Sequence, residues 1–253
     1  MESRGKKRYI AILNQKGGTG KTTTAVSIAA GFAEAGRRTL LIDTDAQGAV
    51  GTSLGVRGEK TLADILLSSI PPDECEIPIR DNLFVITADE KLIDVEAKLL
   101  GANEGAVVLR NKLQTCRSGE IVVFDCPPTL NIIAQLVLNA ADEVIIPVSC
   151  DYLSMVSIKQ IFTAVEKVNA FRRNKLAISG ILPTFFDART RISHEVLTTL
   201  KRHFSNILLP PVRVNTRLKE APSWRKTIFE YAPDSHGAED YRSVVKAMLK
   251  RGY

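Results

Sequence analysis

Residues 9–35 constrain this chain more than any other stretch. An apolar run, Tyr9-Ile10-Ala11-Ile12-Leu13, leads into Asn14-Gln15-Lys16-Gly17-Gly18-Thr19-Gly20-Lys21-Thr22-Thr23-Thr24, and an alanine-rich segment follows. Strand, glycine-rich turn and helix, in that order, are the setting of a phosphate-binding loop. Glycines let successive backbone N–H groups turn inward around an anion, and the N-terminus of the next helix adds partial positive charge. In such a loop Lys21 reaches the β- and γ-phosphates of a nucleotide, and Thr22 offers its hydroxyl to Mg2+.

The rest of the chain keeps the same rhythm. Expected strands are Tyr9–Leu13, Thr39–Ile42, Leu83–Ile86, Ile121–Phe124, Glu143–Val148 and Leu176–Leu182. They are rich in Val, Ile and Leu without strict alternation, as parallel strands covered on both faces are. Expected helices are Thr22–Ala35, Thr61–Ser69, Asp89–Leu100, Leu130–Ala140, Ser154–Phe171, Thr190–Phe204 and Gly237–Lys250. Alternating strands and helices predict an α/β fold, a doubly wound, mostly parallel sheet with helices on both faces. With no internal repeat and no low-complexity linker, residues 1–253 read as one domain, the basic stretch up to Arg8 being flexible.

Composition excludes several classes. No stretch approaches the ~18 uninterrupted apolar residues of a membrane span. The polar start, Met1-Glu2-Ser3-Arg4-Gly5-Lys6-Lys7-Arg8, lacks the apolar core of a secretory signal, so a cytoplasmic location is expected. The four cysteines, Cys75, Cys116, Cys126 and Cys150, form neither a C-x-x-C pair nor a Cys/His cluster. The net charge of +6 is uneven: from Ala170 onward sixteen Lys/Arg face seven Asp/Glu, whereas the first 169 residues carry a slight acidic excess. A basic final third fits a polyanionic partner, and equally a solvated surface; charge alone does not separate the two.

Two further segments carry chemistry. Leu40-Leu41-Ile42-Asp43-Thr44-Asp45-Ala46-Gln47-Gly48 sets two carboxylates at the C-terminal end of a parallel strand, the edge at which such sheets bind ligands. If extended geometry persists through Asp45, the two share one face; the alternative is a helix cap or a surface turn. Ile121-Val122-Val123-Phe124-Asp125 is an apolar strand ending in an aspartate, the Walker B pattern, which binds Mg2+ through water.

The loop carries a second lysine, Lys16, in the string K-G-G-T-G-K-T-T. That variant resembles the deviant Walker A motif of the ParA/MinD group of P-loop ATPases, which act as nucleotide-sandwich dimers. The resemblance implies that Lys16 reaches a phosphate bound by a facing subunit. It gives the nucleotide site as Lys16, Gly17, Gly18, Thr19, Gly20, Lys21, Thr22, Thr23 and Asn215, and the metal site as Thr22, Asp43 and Asp125, the aspartates acting through water. Lys16, Lys21 and Asp45 are the catalytic residues it implies, Asp45 orienting the attacking water. The string after the second strand is similar to the D-x-D-P-Q-G of ParA-type ATPases, with Ala46 in place of proline and Ala49 where asparagine is common. Asp125-Cys126-Pro127-Pro128 matches the family's D-C-P-P.

The similarity continues through Ile181–Thr190 and through Arg213-Val214-Asn215-Thr216-Arg217-Leu218-Lys219-Glu220-Ala221-Pro222-Ser223, close to I-P-R-N-V-R-L-x-E-A-P-S. Arg213-Val214 replaces Pro-Arg there, and Ser149–Met155 replaces an E-Y-Y-A-L-E-G run. Family members of this size bind DNA without sequence preference as ATP-bound dimers, and a ParB-like or cargo-adaptor protein stimulates hydrolysis. By resemblance Arg189 and Arg217 are DNA contacts; Arg225, Lys226, Lys246 and Lys250 are added from charge alone. The implied function is a Mg2+-dependent ATPase on the nucleoid that segregates or positions a cargo. The alternatives are a MinD-like membrane ATPase, which needs a C-terminal amphipathic helix; an iron–sulfur ATPase, which needs paired cysteines; and a non-hydrolysing nucleotide scaffold.

Overall fold

A computed structural model describes residues 7–68, 70–99, 105–116, 118–151 and 154–251. The elements run β1 (Arg8–Ile12), α1 (Lys21–Glu34), β2 (Thr39–Asp43), α2 (Ala49–Leu54), α3 (Leu62–Ser68), β3 (Ile77–Arg80), β4 (Leu83–Ile86), α4 (Leu92–Leu99) and α5 (Gly105–Gln114). Then come β5 (Ile121–Asp125), α6 (Ile132–Ala140), β6 (Glu143–Ser149), α7 (Ser154–Phe171), β7 (Ala177–Thr184), α8 (Arg191–Phe204), α9 (Thr216–Glu220), α10 (Ile228–Tyr231) and α11 (His236–Lys250).

Among the described residues seven strands form one sheet in the order β3-β4-β2-β5-β1-β6-β7. Every pairing is parallel except that of β3 with β4. The strand β3 is absent from the sequence expectations for a physical reason. It is a half-exposed edge, Ile-Pro-Ile-Arg, with no continuous apolar run. The helix α2 is absent from them too, because it is one and a half turns long and bounded by Gly48 and Gly55.

Alternate residues of each central strand feed two apolar layers. Tyr9, Ala11, Leu13, Leu40, Ile42, Val122 and Phe124 pack on one face with α3 to α8. Ile10, Ile12, Leu41, Val123 and Ile145 pack on the other with α1, α10 and α11. Burial on both faces explains the unbroken apolar runs. The helix α11 spends its apolar face here: Ala238, Tyr241, Val244, Val245 and Met248 are all buried, and Tyr241 Oη lies 3.0 Å from Thr24 Oγ1 of α1.

The expected flexible start is corrected at its last two residues; residues 1–6 lie outside the described residues. Lys7 Nζ donates to the carbonyls of Leu113, in the last turn of α5, at 3.1 Å and of Cys116, just beyond it, at 2.6 Å. Arg8 is the first residue of β1, 7% exposed, and forms a two-pronged ion pair with Glu143 of β6, itself 1% exposed. Its basic character disguised a strand residue. Removing one member of a buried pair strands the other, at a cost of about 3–5 kcal/mol, whereas an apolar pair of similar volume is often neutral. Arg8→Met is therefore expected to lower unfolding stability in urea by that amount, and Arg8→Met with Glu143→Leu to recover most of it. Equal losses in both variants would show that the pair does not act as a unit.

Candidate functional site

The loop joining β1 to α1 wraps the end of the central strand and is fixed by buried polar groups. Asn14 is fully buried; its Nδ2 donates to the Pro147 carbonyl at 2.6 Å, and its Oδ1 accepts from the Lys16 N–H at 3.0 Å. Thr184 Oγ1 donates to the Thr19 carbonyl at 2.9 Å, tying the loop to the end of β7. Gly18 and Gly20 have φ of 73° and 83°, where a Cβ is disfavoured, and Gly20 caps α1. Nothing lies within 4 Å of where a Cβ would stand on Gly17 or Gly18, so the loop faces open space. Thr22 and Thr23 open α1.

Lys21 Nζ donates to the Lys16 carbonyl at 3.3 Å, across the loop. Partial burial lowers its pKa, and the Asp125 and Asp45 carboxylates pull it back up. Lys16 turns the other way. Its Nζ stands 2.6 and 2.7 Å from the two carboxylate oxygens of Asp151, which also accepts from Ser149 Oγ at 2.6 Å. This partner lies in the segment that departs from the family pattern, and the sequence reading assigned it no role.

Asp43 and Asp125 are direct neighbours across β2 and β5, at the C-terminal end of both strands. They are 0% and 1% exposed. Asp43 accepts from the N–H groups of Asp45 at 3.0 Å and Val50 at 2.9 Å. Burial still pushes its pKa up to about 6. Burial, and then the Asp43 carboxylate, push Asp125 well above the usual range; the Thr22 hydroxyl is near enough to oppose this. Neither Asp125 oxygen has a hydrogen-bond partner of ordinary geometry among the described residues. Two orphaned carboxylate oxygens, a second carboxylate and a threonine hydroxyl make an all-oxygen donor set, the kind that suits Mg2+. The residues present therefore fit that ion.

Of the two geometries the sequence leaves open at Asp45, extended strand or surface turn, the structure has the turn. The strand β2 ends at Asp43, because Thr44 turns aside and donates both its N–H and its Oγ1 to the Asp125 carbonyl, at 3.0 and 2.6 Å. Asp45 opens a tight turn, its carbonyl accepting from the Gly48 N–H and its Oδ1 from the Gln47 N–H, each at 3.0 Å. The helix α2 follows from Ala49, and Ala46 is partly buried against the core. Asp43 thus holds the start of α2 through Val50, and Asp45 sits on a turn beside the lysine it influences.

The remaining expected residues separate into two groups. Phe186 bridges the segment around Arg213 as parallel strands do, its N–H donating to the Val212 carbonyl and its carbonyl accepting from the Val214 N–H, each at 3.0 Å, so the segments holding Arg189, Asn215 and Arg217 lie together. Asn215 caps α9, its Oδ1 accepting from the Arg217 N–H at 2.8 Å. Arg189 is 86% exposed and forks onto Asp187; Arg217, 55% exposed, pairs with Glu220. Arg225 and Lys226 are exposed just beyond. Lys246 and Lys250 are exposed but lie about 14 and 20 Å along α11 from Gly237. Gly237 itself packs on Asn215. The far end of α11 is held by Arg251, which donates to the carbonyls of Ser179 and Leu208 at 2.9 and 2.8 Å. The two lysines therefore point toward the edge of the sheet opposite the phosphate loop. All four cysteines are free and buried, and burial raises the thiols of Cys75 and Cys150 to about 11, which leaves them unreactive.

A family model described as an AAA domain matches residues 7–178. The chain is 36% identical over 249 residues to the chromosome-partitioning ATPase Soj of Thermus thermophilus, covering 98% of each. It is 36% identical over 251 residues to the sporulation initiation inhibitor protein Soj of Bacillus subtilis, covering 97% of this chain and 99% of that one. Among solved structures, a protein from Mycobacterium smegmatis described as cobyrinic acid a,c-diamide synthase, with a bound ATP analogue and magnesium, superimposes with a TM-score of 0.83 at 30% identity. That match covers 97% of this chain and 95% of the other. The loop with two lysines, the paired aspartates and full-length similarity to named partitioning proteins lead to one statement: the chain belongs to the ParA/Soj family of chromosome-partitioning P-loop ATPases.

Proposed function

We propose that this protein binds ATP with Mg2+, closes as a homodimer over two nucleotides, sits on DNA without sequence preference, and hydrolyses ATP to segregate or position a cargo. The observation that supports it best is the convergence of Lys21, Thr22, Asp43, Asp45 and Asp125 at one sheet edge, with the Asp125 oxygens buried and unpartnered.

Phosphoryl transfer to water builds charge on the transferring group, so catalysis consists of placing compensating charge and a nucleophile in advance. The glycine-rich loop presents N–H groups to the phosphates, and Lys21 places an ammonium against them. Thr22, Asp43 and Asp125 would hold Mg2+, which when bound neutralises phosphate charge. Asp45, on its turn, orients the attacking water. Asn215 keeps its amide N–H groups for the nucleotide. Lys16 completes the partner's site, and the Asp151 pair it must leave is cheap to exchange: its members are 30% and 49% exposed, and such pairs are worth about 0–1 kcal/mol. A stimulating ParB-like or adaptor protein then acts on the closed dimer.

The MinD-like alternative is less supported. Relatives from Myxococcus xanthus, Thermus thermophilus and Caulobacter vibrioides carry chromosome-partitioning names. The apolar face of α11, which membrane binding would require, is buried on α1 and the sheet. Among the described residues no helix is long and apolar enough to cross a membrane.

Lys16→Ala is expected to retain ATP binding while losing roughly 10^3-fold in partner-stimulated turnover, by analogy with removal of a finger residue. Lys21→Ala is expected to weaken nucleotide binding itself; single-turnover kinetics beside equilibrium binding separate the two. Asp125→Asn removes a carboxylate whose charged form burial and the neighbouring Asp43 disfavour more than Thr22 and Lys21 support it. It is expected to raise the stability of the nucleotide-free protein by on the order of 1–3 kcal/mol in urea, and to abolish any stabilisation by Mg2+ with ADP. DNA affinity is expected to fall steeply with salt, and Arg189→Ala and Arg217→Ala each to reduce the log–log salt slope by about 1. Salt-insensitive retention on DNA would contradict this assignment.

A further inference from the structure

Next to the phosphate loop, and separate from it, lies a cavity of about 620 Å3. It opens to solvent and is bounded by the turn after Asp45, by α2 and the segment beyond it, by the end of β4, and by the short 3-10 turn Ala221–Trp224. Two arginines line it, Arg57 and Arg225. Neither guanidinium makes a hydrogen bond or ion pair among the described residues. By contrast Arg189, Arg191, Arg213, Arg217 and Arg242 are each matched to a carboxylate. The one carboxylate lining the cavity, Asp89, already accepts from Thr61 Oγ1 and from the Lys91 N–H, each at 3.2 Å.

Arg225 stands where its backbone resists it. Its φ is 55°, in the left-handed region that a side chain with a Cβ disfavours. The stem lies on Gly55: a Cβ added there would meet Arg225 Cβ and Cγ at 2.7 Å, so only bare backbone leaves room for it. A disfavoured conformation, a glycine yielding space and an unmatched cation meet at one cavity.

We propose that this cavity is a second anion site, taking a small phosphorylated ligand whose phosphate oxygens bridge Arg57 and Arg225. Guanidinium groups present paired N–H donors in a fork that matches phosphate, and two of them suit two phosphates or one phosphate shared between them. Ser223 adds a hydroxyl on the same wall. The volume is that of small-molecule sites in general. Ala46, Gln47 and Gly48 line the cavity as well, so a ligand there touches the turn that carries Asp45. The site stands apart from the ATP-binding role given above and does not depend on it.

The test uses the full chain carrying Lys21→Ala, so that the phosphate loop holds anions weakly, with radiolabelled inorganic pyrophosphate as the probe. Equilibrium dialysis at low salt is expected to show one saturable site per chain with Kd below about 1 mM. Adding Arg57→Ala and Arg225→Gly is expected to weaken it at least roughly tenfold. Glycine suits the positive φ at 225, so this variant keeps its fold, which an unchanged or raised thermal midpoint checks. Trp224, the only tryptophan in the chain and 65% exposed, adjoins Arg225 and supplies a fluorescence readout with the same midpoint. Unchanged affinity in the arginine variant, or no saturable binding in the parent, overturns the proposal. A short DNA duplex forms the second arm. If the two substitutions weaken duplex retention and leave pyrophosphate binding intact, the arginines serve DNA phosphates and the cavity site falls.

Discussion

Asp43 and Asp125 lie side by side on adjacent strands, both buried, where two carboxylates repel each other and neither is solvated. Isolated buried charges of this kind cost several kcal/mol each. The surroundings relieve that only in part. Two backbone N–H groups serve Asp43, Lys21 and Thr22 face the pair, and Asp125 is left without a well-formed hydrogen bond. Strands covered on both faces hold the carboxylates in register although they repel. The two apolar layers are therefore a condition of the chemistry, since a looser sheet would splay the pair apart or let water dissolve the tension. A cation is the species that resolves it, and the phosphate loop opens beside it.

The same edge separates two lysines five residues apart. Lys21 points across the loop toward the aspartates, while Lys16 reaches out to Asp151 at the end of β6. Burial lowers the pKa of Lys21 against the pull of Asp125 and Asp45, and Lys16 is matched to the half-exposed Asp151 carboxylate.

Much of this was legible in the sequence because it is local. The strand–loop–helix unit, the apolar runs of β1, β2, β4, β5, β6 and β7, and the aspartates at strand ends are each written in consecutive residues. What was illegible depends on contacts between distant segments. Arg8 reads as part of a basic tail until Glu143 is placed opposite it. Asp45 can be read as strand or as turn until Thr44 is placed on the Asp125 carbonyl. The edge strand β3, with its proline and arginine, carries no apolar signature, since only one of its sides is paired. Asp151 gave no signal, because a lone aspartate after a strand has no pattern until a lysine arrives 135 residues away.

Charge counting shows the same limit more sharply. The basic final third is a true excess, but much of it is spent inside the protein. Arg213 is held by Asp240 and Glu239, and Arg242 by Glu34 and the Pro233 carbonyl, while Arg251 and Arg172 donate to carbonyl oxygens. Such residues contribute to the long-range field and offer little to a partner's phosphates at contact. The substitution of Arg213-Val214 for Pro-Arg illustrates this. The arginine moved by one position faces two carboxylates of α11, and the position it vacated presents an exposed apolar Val214. Arg189 and Arg217 are highly exposed and are each held by one carboxylate, Asp187 and Glu220. Net charge thus sets the range of the protein's field, whereas the cations left for contact at the surface are those whose carboxylate partners are fewest.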